Sequence, residues 1–377
     1  MSFKLETPSL PVLLADTATT AEVETALSRS RRTLEDFAAL ISPAAAKPAL
    51  LEAIAHQAHE LTVRHFGRVI RLFAPLYVSN ECVNFCRYCG FSRNNPVQRK
   101  TLTLEDVLAE ASYLRQEGFR HLLLVSGEHP VFASTEFLTE CVEHLHPNWP
   151  SISLEVGPRA TAEYAQIVRA GADGLVIYQE TYDRGVYAAV HPAGPKKDFD
   201  WRLETPERGY AAGFKRLGVG ILLGLAPWRK DALALAAHVA YLQRHCWKSH
   251  ITASIPRLRP TIGGFEPPVE VTDRDLVQLV CALRLTFPQI GIVLSTRERA
   301  SLRNGLIPLG ITMMSAGSRT HPGGYFIDLH CKIASEGEYA TDQFEVADLR
   351  SPKEVASALA ALGYEPVWKD WDSSLNE

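Results

Sequence analysis

The sequence predicts an α/β chain built on a (β/α)8 barrel of the TIM type, and three observations carry that expectation. From Val69 onward, short apolar runs alternate with amphipathic segments, the pattern of strands and crossover helices in a mainly parallel sheet. Eight such runs can be counted. Spread over about 250 residues, that count suits a closed barrel better than an open doubly wound sheet. The 377 residues also suffice for one large core.

In chain order, residues 1–65 read as an N-terminal helical extension. Leu27, Leu34, Phe37, Leu40 and Ile41 recur at helix spacing there, and Pro43 closes the stretch. The barrel is expected over 66–320, with strands at 70–78, 121–125, 152–156, 174–178, 220–225, 251–255, 292–294 and 311–314. Helices are expected at 103–117 before Gly118, 162–170 before Gly171, 206–217 after Thr205, and 273–286 before Pro288. Ser/Thr starts, early proline and terminal glycine support those ends. A tail over 321–377 is expected to pack on the barrel, with a helix at 352–362 that Ser351 caps, Glu354 boxes and Gly363 ends.

Composition excludes more than it identifies. With 46% hydrophobic and 22% charged residues and a mean hydropathy of -0.06, the chain is neither wholly disordered nor collagen-like. A net charge of -4 without any basic tract argues against nucleic acid or an anionic membrane surface as partner. No apolar run approaches the roughly 20 residues of a membrane span, and no signal sequence opens the chain, so a cytoplasmic protein is expected. Seven cysteines, an odd number in a chain this long, suggest thiols or metal ligands instead of disulfides.

Cys82, Cys86 and Cys89 place three thiols within eight residues at the carboxyl end of the first expected strand. Buried cysteines that merely fill space are the bland alternative, but Asn84, Arg87 and Asn94 make the segment polar. A structural zinc wants a fourth ligand, and Cys141, Cys246, Cys281 and Cys331 are isolated in other elements. Three thiolates and one open position suit a cubane iron–sulfur cluster with one iron free for a small molecule.

A barrel builds its site at the carboxyl ends of its strands, and these ends are rich in polar groups. The second ends Ser126-Gly127-Glu128, the third at Glu155, the fourth in Gln179-Glu180-Thr181-Tyr182. One carboxylate in an exposed loop is ordinary; three in successive strand ends form a set. The seventh ends Ser295-Thr296-Arg297-Glu298-Arg299, donors able to grip a carboxylate through a bidentate guanidinium, which points to an amino-acid substrate. The competing reading of Arg297 is an exposed salt bridge. His56, His59, His65 and Glu60 lack a metal-binding helical arrangement and read as solvated helix faces, and Gly323-Gly324 reads as a turn.

The Cys-x-x-x-Cys-x-x-Cys spacing, with Tyr88 before its last cysteine, resembles the radical S-adenosylmethionine (SAM) enzymes. From Ala74-Pro-Leu-Tyr through Tyr-Gln-Glu-Thr-Tyr and Pro-Arg-Leu-Arg-Pro to Pro-Val-Trp-Lys-Asp-Trp-Asp, the chain resembles the 2-iminoacetate synthase family. That resemblance implies a 4Fe-4S cluster on Cys82, Cys86 and Cys89, with SAM on the open iron. It implies that Ser126, Gly127 and Glu128 take the SAM amino group, with Ser where Gly is usual, and that Glu155 contacts the ribose. Glu180 and Arg202 would extend the cofactor site, Arg202 toward the SAM carboxylate, while Tyr88 and the 218–224 run would flank adenine. Ser295, Thr296 and Arg297 would serve the substrate.

The implied activity breaks the Cα–Cβ bond of L-tyrosine to give 2-iminoacetate and p-cresol for thiamine thiazole biosynthesis, as SAM becomes 5′-deoxyadenosine and methionine. The implied partners are a thiazole synthase and a flavodoxin or ferredoxin as electron donor. The hydrogenase-maturation tyrosine lyase carries a second cluster on further cysteines, whereas only Cys331 follows Cys281 here. An indole-acid-forming tryptophan lyase shares the arginine grip and differs in its side-chain pocket. A non-catalytic iron–sulfur carrier would leave the strand-end carboxylates and Arg297 without a task.

Overall fold

The computed structural model describes Phe3, residues 10–331 and residues 342–368. Strands β1 (Val69–Ser79), β2 (His121–Ser126), β3 (Ser151–Glu155), β4 (Gly174–Glu180), β5 (Arg216–Ile221), β6 (His250–Ser254), β7 (Gly291–Leu294) and β8 (Met313–Ser315) pair in parallel, each with the next. β1 pairs β2 through Ala74↔Leu122 and β8 through Arg71↔Met313, so the sheet closes into the expected barrel. Closure leaves no sheet edge along the barrel wall. A ninth strand, Glu365–Val367, adds to Val69–Arg71 at the amino-terminal end of β1.

Outside the sheet, α1 (Val12–Thr17), α2 (Thr20–Ser28), α3 (Leu34–Leu40) and α4 (Pro48–Phe66) precede the barrel. They pack on its outer helices α11 (Trp228–His245) and α12 (Asp273–Thr286). Between lie α5 (Leu104–Gln116), α6 (Thr135–Leu145), α7 (Thr161–Ala170), α8 (Arg184–Val190), α9 (Phe199–Leu203) and α10 (Thr205–Ala212). After α12 come α13 (Ala300–Leu306), α14 (Phe326–Cys331) and α15 (Pro352–Ala361), the last begun by the expected Ser351/Glu354 box. The main hydrophobic core fills the layer between strands and helices.

The expected boundaries differ most in three places. The helix expected to run to Leu217 stops at Ala212, because Gly213 takes a left-handed φ of 105° and caps it. Phe214 and Leu217 had continued the apolar period and hidden that stop. The fifth strand accordingly lies at Arg216–Ile221, four residues before the expected 220–225. Its Gly218 and Gly220 depress strand character locally, yet a Cβ on Gly220 would crowd the Tyr178 ring at 2.8 Å. The eighth strand begins at Met313, not at Ile311, a shift within ordinary end uncertainty.

The two ends of the barrel differ. At the amino-terminal end, buried Arg216 donates to Ser151, to Ser153 at 3.2 Å and to Asp173 at 2.9 Å, a polar plug that satisfies itself. The carboxyl-terminal end holds two cavities.

Candidate active site

The loop after β1 is laced to its neighbours by backbone bonds. Val83 N donates to Glu128 O at 2.9 Å, Phe85 N to Ala193 O at 3.0 Å and Arg87 N to Val190 O at 3.1 Å. Gly127 makes the first seam possible, since a Cβ there would fall on the carbonyl oxygen of Glu81 and lie 3.1 Å from the Cys82 side chain. Cys82, Cys86 and Cys89 are unpaired thiols lining one cavity, with Ser126, Gly127, Glu128, Glu155, Glu180 and Arg202 around them. All the residues expected at the cluster and SAM line that space, except Tyr88 and the 218–224 run expected to flank adenine. Tyr88 is buried behind Cys86 with Leu222 and Leu225, and its hydroxyl lies 2.8 Å from His191 Nε2. Because His191 Nδ1 lies 2.9 Å from Tyr187 O and so carries the proton, Tyr88 donates to Nε2.

The donor set fits an iron–sulfur cubane. Burial pushes the Cys86 and Cys89 thiols up, so thiolates there need a metal's positive charge. No three His, Cys, Asp or Glu among the described residues converge on a single ion, whereas a cubane asks each thiolate to hold a different iron. Ser126 Oγ is buried in the cavity region without a hydrogen-bond partner among the described residues.

Charges of both signs meet beside the cysteines. Lys196, which sequence reasoning missed, is 2.7 Å from Glu180, and Arg202 is 3.6 Å from the same carboxylate while donating to Tyr178 O at 2.6 Å. Burial alone would raise the Glu180 pKa; the two cations outweigh it and hold the carboxylate below its ordinary value. Glu180 adopts φ 72°, left-handed for a residue with a side chain, strain of about 1–3 kcal/mol of the kind concentrated at functional sites. Glu155 has the opposite fate: burial first, then Glu180, push it up to about 7. Asn84 donates to Glu128 at 2.7 Å and fixes that carboxylate.

A second cavity sinks into the barrel and shares Val125, Glu155 and Gln343 with the first. Its walls are largely apolar, with Leu123, Leu276 and Val293, and carry Tyr77, Tyr178 and Arg297. The Arg297 guanidinium stacks 3.4 Å from the Phe344 ring centroid, and no carboxylate among the described residues forms an ion pair with it. The salt bridges of this region belong to its neighbours: Arg257 grips Glu298 and Asp273, and Arg299 lies 2.6 Å from Asp273. The exposed-salt-bridge reading thus fails for Arg297. Ser295 Oγ accepts from Arg297 N at 3.3 Å, and Thr296 N donates to Ser315 Oγ at 3.2 Å. Both residues line the cavity while shaping the turn that presents Arg297.

Sequence reasoning also missed a strap. Residues 342–348 cross the mouth, with Gln343 N bonded to Thr320 O at 3.0 Å, Glu345 N to Pro260 O at 3.1 Å and Ala347 N to Thr296 O at 3.0 Å. Its ends are pinned by His321, 2.6 Å from Asp342, and by a buried Arg303–Asp348 pair. No motif announces such a segment; the one signal in the sequence is Gly90, directly after the last cysteine, where a Cβ would fall on Asp342 O. Of the helical histidines, His56 is solvated as expected, in an exposed 3.7 Å pair with Glu60, whereas His59 is half-buried with Nδ1 2.8 Å from Pro308 O. Cys141, Cys246 and Cys281 are buried elsewhere, and the Cys331 side chain lies outside the described residues, as does the end of the Pro-Val-Trp-Lys-Asp-Trp-Asp run.

Comparisons with known proteins agree with this layout. The Radical SAM superfamily profile matches residues 76–233, and the Biotin and Thiamin Synthesis associated domain matches residues 254–365. The chain is 45% identical to a 2-iminoacetate synthase of Escherichia coli (strain K12), over 95% of this chain and 92% of that protein. It is 44% identical over the same shares to a 2-iminoacetate synthase of Salmonella typhimurium. Among solved structures, the FeFe-hydrogenase maturase HydG superposes with a TM-score of 0.85 at 33% identity, covering 95% of this chain and 78% of that one.

Proposed function

This chain belongs to the 2-iminoacetate synthase family of radical SAM enzymes, and from that premise we propose how its barrel mouth divides the work of tyrosine cleavage. The reaction breaks the Cα–Cβ bond of L-tyrosine to 2-iminoacetate and p-cresol, with SAM converted to 5′-deoxyadenosine and methionine. When bound, the 4Fe-4S cluster and SAM supply a 5′-deoxyadenosyl radical that takes a hydrogen atom from the substrate.

Cys82, Cys86 and Cys89 hold the cluster. Ser126, Gly127 and Glu128 receive the SAM amino group, and Glu155 in its ionised form accepts from the ribose. Glu180, Arg202 and Lys196 complete the polar wall; with Arg202 already bonded to Tyr178 O, Lys196 adds a second cation for the SAM carboxylate. On the other side, Arg297 binds the tyrosine carboxylate, Ser295 and Thr296 fix its turn, and the apolar wall excludes water from the ring.

The observation that carries this reading is the Arg297 guanidinium, without an ion-pair partner among the described residues, in a cavity that shares Val125, Glu155 and Gln343 with the three-cysteine cavity. Anaerobically reconstituted protein given SAM, a strong reductant and L-tyrosine is expected to yield p-cresol and 5′-deoxyadenosine together. Deoxyadenosine without p-cresol would mean a different substrate, and neither product would mean a cluster carrier. The chain works with a one-electron donor of the flavodoxin or ferredoxin type. No described helix is long and apolar enough to cross a membrane, which supports a cytoplasmic site. Because an imine hydrolyses readily, direct delivery to a thiazole synthase is favoured, and co-purification with that enzyme checks it.

A further inference from the structure

Gln343 is the strap residue that lines both cavities. Its side-chain oxygen accepts from the Tyr77 hydroxyl at 2.8 Å, which leaves the amide nitrogen to face Cys89 Sγ, 3.8 Å away. The amide orientation is therefore not free: a flip would set oxygen against sulfur and nitrogen against a phenol that has its own proton to place. The backbone holds the residue from both sides, with Gln343 N on Thr320 O at 3.0 Å and Gly90 N on Gln343 O at 2.9 Å. Gly90 has no room for a side chain, because a Cβ would fall on Asp342 O and lie 2.8 Å from Gln343 O.

From this geometry we propose that Gln343 is a positioning residue for the reaction, donating an N–H to the Cys89 sulfur and, through Tyr77, forming the wall between the cofactor and substrate cavities. The inference rests on Cys89 being a cluster ligand. An amide N–H aimed at a ligating thiolate withdraws charge from it and favours the reduced cluster, so its removal shifts the potential downward. The same amide ties Cys89 to a side chain in the substrate cavity, so its loss also loosens the boundary between the two cavities.

The test compares the reconstituted parent with Gln343→Met and Gln343→Glu. Methionine keeps the volume and removes both hydrogen bonds. Glutamate keeps the acceptor for Tyr77 and removes the donor to sulfur, so it guards against a folding failure of the first variant. Spectroelectrochemical titration is expected to place the cluster midpoint of both variants below the parent's. The ratio of 5′-deoxyadenosine to p-cresol is expected to rise in both. Midpoints equal to the parent's in both variants would overturn the assignment even if p-cresol formation fell, since a merely structural residue changes yield and not potential. The parent's own p-cresol formation, measured alongside, tests the lyase reading separately.

Discussion

The two halves of the barrel mouth hold charge in opposite ways. On the side of β1 to β4, Lys196 and Arg202 converge on Glu180, and Asn84 ties Glu128, so that most charges already have a protein partner. On the side of β6 to β8, the guanidinium that lines the cavity, Arg297, rests on Phe344 with no carboxylate partner among the described residues, while its neighbours Arg257 and Arg299 are paired. A zwitterionic nucleoside of fixed shape is best met by preorganised groups of both signs. A small amino acid is selected more sharply by one half-buried cation to which the protein offers no carboxylate.

The comparison breaks outright if the cysteine side can be removed without consequence. Replacing Cys86 with Ala is expected to abolish both the visible cluster absorbance and p-cresol formation, leaving product at background. Next in size, Arg297→Ala should raise KM for tyrosine by about one to two decades, the equivalent of ~1.5–3 kcal/mol for a charged hydrogen bond. SAM binding, followed by the cluster spectrum, should remain. Arg297→Lys keeps the charge and loses the fork, so most of the defect should persist. A parallel loss of SAM binding would erase the distinction between the halves.

The same contrast explains what the sequence made legible. The cofactor half could be read because its signal is local: three cysteines on one loop, Ser126-Gly127-Glu128 and Glu155 each ending one strand. The barrel was legible for the same reason, strand by strand; the reading ran past Gly213, where a helix stopped though its apolar spacing ran on, and left out helices such as Trp228–His245. The substrate half is a long-range assembly. Arg297 was singled out from its donor-rich turn, but Phe344 beneath it lies 47 positions away by number, on a strap with neither periodicity nor motif. Lys196 was missed because it sits in a Pro-Lys-Lys turn that resembles any solvated loop, although the fold buries it against Glu180.

Since the strap joins the halves, moving it should sharpen the comparison. Gly90→Ala places a methyl group against the Asp342 carbonyl, and backbone does not yield as a side chain does. A loss of about 1–3 kcal/mol in stability is expected, read as a lowered Tm. The iron content should hold, because Gly90 supplies no ligand; the ratio of 5′-deoxyadenosine to p-cresol should climb, because Gln343 and Phe344 move with the strap.

Smallest and most diagnostic is the pH behaviour of Glu155, the carboxylate that both cavities share. Burial and then Glu180 raise it to about 7, with Arg297, Arg202 and Lys196 opposing. An unfolded chain ionises the same group near 4.5. The stabilisation from its protonated form is therefore complete below that value and is lost as pH rises through about 7. Ligand affinity runs the other way, because only the ionised carboxylate accepts two ribose hydroxyls. SAM binding should weaken by about tenfold per unit as pH falls below 7. Thermal melts of the ligand-free chain and SAM titrations from pH 6 to 8 should thus slope in opposite directions. Glu155→Gln should flatten both, at the cost of the weaker, pH-independent affinity that an uncharged acceptor gives. Parallel slopes in the parent would place the titrating group elsewhere and return Glu155 to the role of a wall residue.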